Sequence, residues 1–306
     1  MKSIRLVIMV CIMLSAFVTA QSLSADEVKS FEPVAAPAAS DTAPVPAETP
    51  KEPEVPKVTG SGSIGFSNQY IFRGYEIGKN GLVIQPSLSE SYKGFSATFW
   101  GNVDTNERDT TSAAFSNEGR KGWNETDLSL SYTYAIDKLS MTGGYTYYAL
   151  KYAEETEELW LSLALDILTK PSLSIYQDIQ SYKGTYFNLA FAHSFALPKD
   201  ATLDLGASFG YEKGEGTYWK TYEVSTNDYT GSKYQGFHDG MVKTGLTIPV
   251  SKAFSIQPVV QYWFPLSKDA KKTFGTDPAT GLKIAYNPNG YVPDNLVYGV
   301  GFTYSF

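Results

Sequence analysis

The chain ends in Asn295-Leu296-Val297-Tyr298-Gly299-Val300-Gly301-Phe302-Thr303-Tyr304-Ser305-Phe306. Leu, Tyr, Val, Phe, Tyr and Phe hold the even positions; Asn, Val, Gly, Gly, Thr and Ser hold the odd ones. A period of two sustained over this length specifies a strand with one apolar face and one small or polar face. The last residue is an aromatic. At a terminus in water such a residue frays, whereas in a membrane barrel it sits in the girdle at the membrane surface. Whether this strand closes a barrel depends on the alternation elsewhere in the chain.

The composition suits a barrel. The 306 residues suffice for one large β domain, and Phe, Trp and Tyr make up 14% of them. The formal net charge is −7, which argues against nucleic acid as a partner, since its binders are basic. The single cysteine, Cys11, lies in the first apolar run, so the remainder of the chain can form no disulfide.

Residues 1–20 read as a secretory signal peptide. Lys2 and Arg5 give a basic start, residues 6–18 are apolar, and Val18-Thr19-Ala20 suits cleavage before Gln21. Residues 21–60 form a Pro/Ala-rich linker with seven prolines between Pro33 and Pro56. Proline blocks sheet ladders and the stretch has little to bury, so it is expected to be a disordered periplasmic spacer. It could also contact peptidoglycan or another envelope component.

From 61 to 306 the alternation hardly stops. Strands are expected at 63–74, 82–92, 95–104, 124–134, 139–150, 157–166, 172–179, 185–195, 201–212, 237–248, 253–264 and 295–306. Connections after even-numbered strands are short. Three of the others are long, at 105–123, 213–236 and 265–293; the last two could hold a further hairpin. Short turns at one end and long loops at the other are the pattern of an outer-membrane barrel. The expectation is therefore an all-β, transmembrane antiparallel β-barrel of about 12 strands with periplasmic N- and C-termini. Its partners would be outer-membrane lipids and the barrel assembly machinery, and its location the outer membrane of a Gram-negative bacterium.

The polar faces then line a lumen, and strand direction sorts their charges by height. Arg73, Asp104, Glu125 and Asp127 fall near the outer mouth as a candidate constriction that would favour cations by its excess of acid. The alternative is that they form structural pairs in a narrow lumen. Deeper down, Asp204 and Lys243 on neighbouring strands could pair. Trp100, Tyr148, Trp160 and Trp263 share the lumen-facing parity, either as a track for solutes or as filling. For catalysis, His193 falls on the lipid-facing parity, and His238-Asp239 opens a strand beside a long loop without a specific motif. No metal, phosphate or other cofactor motif is visible, and no enzyme is expected.

Two resemblances sharpen this. Gly301, Tyr304 and Phe306 resemble the C-terminal assembly signal of outer-membrane barrels, with Gly299 where a polar residue is usual. Gln69-Tyr70-Ile71-Phe72-Arg73-Gly74, then Gln85-Pro86-Ser87-Leu88, then 94–104 with its Gly-Phe, Trp100 and Asn102-Val103-Asp104, resemble the opening of the TorF family of porins. The resemblance covers the first three strands in detail. It implies a pore without an assigned solute, and the chain as a whole is expected to be a channel for passive diffusion of small hydrophilic solutes. A surface-interaction barrel with a filled lumen and an outer-membrane hydrolase are the competing expectations.

Overall fold

The computed structural model describes residues 57–78, 81–107, 120–223, 226, 228–276 and 283–306. The signal peptide and nearly all of the Pro/Ala-rich linker lie outside the described residues.

The wall consists of β1 (Thr59–Ser67), β2 (Val83–Tyr92), β3 (Phe95–Glu107), β4 (Arg120–Ile136), β5 (Leu139–Leu150) and β6 (Thr156–Leu165). It continues with β7 (Ser172–Asp178), β8 (Gly184–Ala196), β9 (Thr202–Gly214), β10 (Gln235–Pro249), β11 (Phe254–Pro265) and β12 (Asn295–Ser305). Each pairs antiparallel with its neighbours in sequence. The main sheet has fourteen strands, of which two short ones, Tyr70–Phe72 and Tyr75–Gly78, form a separate hairpin. The other twelve form a closed barrel. β12 returns to β1 in the register Ser61↔Ser305 to Ser67↔Gly299. The seam is finished by Phe306, whose backbone exchanges two 2.9 Å hydrogen bonds with Gly60. Both ends of the barrel domain thus meet at one rim, here the lower one.

Alternation gives each strand two unlike faces. Outward stand Leu88, Phe99, Leu128, Leu130, Leu159, Leu161, Leu163, Leu189, Phe209 and Tyr298, all exposed. Each such side chain left in water forgoes roughly 1.5–3 kcal/mol of burial, so a continuous belt of them needs an apolar surround. Inward, hydroxyls pair across strands: Ser89 with Thr98 at 2.7 Å, Ser129 with Thr146 at 2.8 Å, Thr133 with Thr142 at 3.0 Å and Ser162 with Ser174 at 2.9 Å. A closed antiparallel wall, greasy outside and polar inside, is a transmembrane β-barrel: closure pairs the wall strands with one another and leaves no sheet edge to meet lipid.

The lower rim is closed by tight turns. Lys93-Gly94, with φ of 49° and 85°, makes a two-residue connection of the kind that matches strand twist. At the upper rim, both long segments flagged in the sequence carry hairpins: Lys220–Tyr222 with Tyr229–Lys233, and Thr273–Thr276 with Lys283–Ala285. They sit outside the barrel sheet and join through the Tyr222 N–H to the Tyr286 carbonyl at 3.2 Å. The 3-10 turn Thr217–Trp219 is the one helical element among the described residues.

One expectation is corrected. The first strand does not run from 63 to 74. β1 stops at Ser67, and Tyr70–Gly78 leaves the wall as the separate hairpin. Asn68 marks the exit: its side chain donates to the Leu296 carbonyl and accepts the Tyr298 N–H. Arg73 is therefore not on the inner face of a wall strand.

Candidate functional site

The hairpin turns at Phe72-Arg73-Gly74-Tyr75, with Phe72 and Tyr75 as the closing pair. Both central residues have positive φ, 47° at Arg73 and 79° at Gly74. That is a two-residue turn of the primed type, which wants Gly second and tolerates few residues first. Arginine in a left-handed conformation costs about 1–2 kcal/mol, so the tip must be held by what its side chain touches. Glycine is needed at position 74 for a further reason: a Cβ there would stand 2.6 Å from the Asp239 Cβ.

In the ring of twelve strands, β7 lies six steps from β1 in either direction, directly opposite. Arg73 reaches that far wall. Its Nη1 donates to Glu158 Oε1 at 2.7 Å and its Nη2 to Glu158 Oε2 at 2.8 Å, on β6. Its guanidinium carbon lies 4.7 Å from the Tyr176 ring centroid on β7 and 4.6 Å from that of Tyr186 on β8. Phe72 adds a third ring at 4.8 Å. The bidentate fork fixes the plane of the guanidinium, and ring faces around a desolvated cation contribute about 0.5–2 kcal/mol each. The Arg73 and Glu158 side chains are 15% and 5% exposed, so the pair is nearly out of water. In such a place, removing one partner strands a charge.

The far wall holds these groups firmly. The Tyr148 hydroxyl donates to Glu158 Oε2 at 2.8 Å, and the Tyr186 hydroxyl to Asp239 at 3.0 Å. Trp160, Tyr176 and Tyr186 form one buried cluster. Gly210 opposite leaves room for the Tyr186–Asp239 pair, which a Cβ there would overlap. Further acids stand buried at the same height. Glu212 is 3% exposed on β9, and Asp178 on β7 accepts the Thr156 hydroxyl at 2.6 Å.

The near side of the hairpin is packed as well. Tyr70 lies 5.7 Å from the Trp100 ring. Ile71 joins Met241, Trp263 and Val297 in an apolar cluster, and Tyr75 joins Ala270 and Val292 from the upper loops. The hairpin thus crosses the upper lumen from wall to wall. Above it, Lys213 at the head of β9 bonds Glu215 at 2.8 Å and holds that loop carboxylate below its usual range.

The four residues expected as a charged constriction all lie inside the upper barrel, but not as one cluster. Arg73 pairs with Glu158 instead of Asp104, Glu125 or Asp127. Asp104 is buried against the hairpin's Gly78 and accepts the Asn106 N–H at 2.7 Å. Glu125 interacts with the Tyr70 hydroxyl. Asp127 faces Tyr148 across the β4–β5 pair. Of the four aromatics, Trp100 packs on the hairpin, Tyr148 orients Glu158, Trp160 backs the far-wall cluster and Trp263 sits beside Ile71. Asp204, lower down, accepts hydroxyls from Thr202 and Thr247.

At the seam, Gly301 faces Gln257, while Tyr304 and Phe306 stack at 6.4 Å and stay exposed on the lower rim. His193 bonds the Leu168 carbonyl at 2.7 Å near that rim. His238 is fully buried behind the hairpin. Its ring lies 4.6 Å from Tyr75, and its Nδ1 pairs with the Tyr234 hydroxyl at 2.7 Å.

Sequence reasoning missed Glu158, Tyr176, Tyr186 and Asp239 as Arg73's surroundings. Two signals for the hairpin were present. Ile71 breaks the alternation of the presumed first strand, and Arg73-Gly74 between apolar residues is turn chemistry. The partner wall had no local signal.

The site is a barrel interior crossed by a hairpin and set with one ringed cation among several acids. No family model matches the chain, and no curated protein matches it. Among solved structures, the KdgM porin aligns over 80% of this chain and 99% of its own at 14% identity and a TM-score of 0.46. The NanC porin aligns over 79% and 98% at 9% identity and 0.47. The COG4313 outer membrane channel from Pseudomonas putida F1 aligns over 85% and 100% at 9% identity and 0.43. Likenesses this distant carry no part of the reading below, which rests on the chain's own wall and hairpin.

Proposed function

We propose that this protein is an outer-membrane channel for small hydrophilic solutes, with a preference for cations, narrowed by the Tyr70–Gly78 hairpin. The observation that carries the reading is the contrast within the lumen. The lower lumen is lined largely by hydroxyls, with the Asp204 carboxylate among them, and above it the hairpin crosses to the opposite wall, where Glu158 binds Arg73. Buried Glu158, Glu212, Asp239, Asp178, Glu125 and Asp127 surround the crossing, and each that stays ionised adds to a field that favours cations there.

The rest of the reading follows from the barrel. Lipid surrounds the apolar belt, the lower rim with Phe306 faces the periplasm, and the signal peptide and assembly signal deliver the chain through the barrel assembly machinery. The Pro-rich linker then extends into the periplasm. The resemblance to the TorF family supports the same reading, and its Tyr-x-Phe-Arg-Gly motif falls on the hairpin and its tip.

A second reading, a surface barrel with a permanently filled lumen, is favoured by the apolar anchoring of Ile71 and Tyr75. Planar-bilayer recording separates them. Pure refolded protein in a KCl gradient is expected to give small conductance steps with a reversal potential of cation-selective sign. Absence of steps from both the wild type and Arg73→Ala would establish the filled barrel, and an anion-selective sign would overturn the cation preference.

A further inference from the structure

The far wall is built as a receptor, and Arg73 is what it holds. Glu158 presents both carboxylate oxygens to one planar fork, at 2.7 and 2.8 Å. Tyr176 and Tyr186 stand 4.7 and 4.6 Å from the same carbon. These three residues belong to three consecutive wall strands, β6, β7 and β8, whose register is fixed by continuous pairing. Tyr148 and Asp239 lock Glu158 and Tyr186 by hydrogen bonds. Every part of this pocket except Phe72 comes from the wall, and its occupant comes from a hairpin on the other side of the barrel. If the hairpin withdrew, the wall would keep an oriented buried carboxylate between aromatic faces and would need a cation to neutralise it.

We propose that this wall is a recognition site for guanidinium-bearing organic cations, with Arg73 as a tethered occupant that an incoming solute replaces. The proposal rests on the channel reading and names its solute class. The geometry selects the class. A hydrated inorganic ion gains little from aromatic faces at this spacing, and a compact ammonium cannot make the two-pronged contact. A flat guanidinium on a short apolar stem satisfies the carboxylate and the rings together.

The test uses Arg73→Gly, which empties the site while keeping a residue suited to the positive φ of the turn. The probe is propylguanidinium, the Arg73 side chain freed of its backbone, and the control is propylurea, similar in shape and uncharged. In bilayers, the Arg73→Gly channel should be blocked by propylguanidinium at concentrations where propylurea has no effect. Wild-type channels, whose site is filled, should need at least tenfold more. Adding Glu158→Gln should weaken the block at least tenfold. Equal block by probe and control, or block unaffected by Glu158→Gln, would overturn the site while leaving the channel standing. If neither the wild type nor Arg73→Gly conducts, the channel reading fails; whenever Arg73→Gly is silent, the site is judged by thermal unfolding in detergent. A midpoint raised by propylguanidinium, not by propylurea and not with Glu158→Gln present, supports it; no shift refutes it.

Discussion

The upper and lower lumen share one wall and differ in almost everything else. Below the hairpin, small hydroxyl side chains meet their cross-strand neighbours, as Ser129 meets Thr146 and Thr133 meets Thr142. At the hairpin, a tyrosine or tryptophan backs most of the contacts and an arginine joins residues 85 positions apart. The lower lumen is held by pairs between adjacent strands. The upper lumen depends on one long reach. Fold and the proposed function are thus separable: the ladder closes the barrel, and the hairpin is the element proposed to set what passes.

This difference can be challenged by substitutions. The largest effect is expected for Glu158→Gln, which leaves the Arg73 charge buried among rings. It should cost about 3–5 kcal/mol, measured as a loss of unfolding free energy in urea with the barrel in lipid. A loss under about 1 kcal/mol would mean that the pair is screened by water. Next come two glycines of β9 at different heights. Gly210→Ala pushes a methyl group into the locked Tyr186–Asp239 pair and should cost about 1–3 kcal/mol. Ser129→Ala removes one rung of the lower ladder and should cost about 1 kcal/mol in the same assay. For Gly206→Ala the nearest atoms belong to the flexible Lys243 stem, Cε at 2.6 Å, and the change should stay within about 0.5 kcal/mol. Equal costs at Gly210 and Gly206 would erase the distinction between the two regions.

The same split explains what the sequence revealed. Wall strands announce themselves through a period of two, because lipid and lumen impose opposite demands on alternate residues. The leucines of β6 and the aromatics of β12 mark their strands without any knowledge of neighbours. The seam between Phe306 and the start of β1 follows once the count is even. The hairpin is a different kind of object. Tyr70 and Phe72 carry the β1 alternation onward by coincidence of spacing, so periodicity alone extends the strand past Ser67. Placing Arg73 then required knowing which wall it faces, and that depends on the curvature of the closed ring. The acids expected near it, Asp104, Glu125 and Asp127, are close in sequence to the first strands. The acid it binds, Glu158, lies across the lumen.

The central claim is that the Arg73 hairpin controls passage through a barrel that stands without it. Single-channel conductance of wild-type and Arg73→Ala protein, refolded and recorded side by side, tests this most directly. The account predicts correctly folded barrels for both and larger steps, or more frequent opening, for the variant. Identical step size and open time in the two proteins would contradict it.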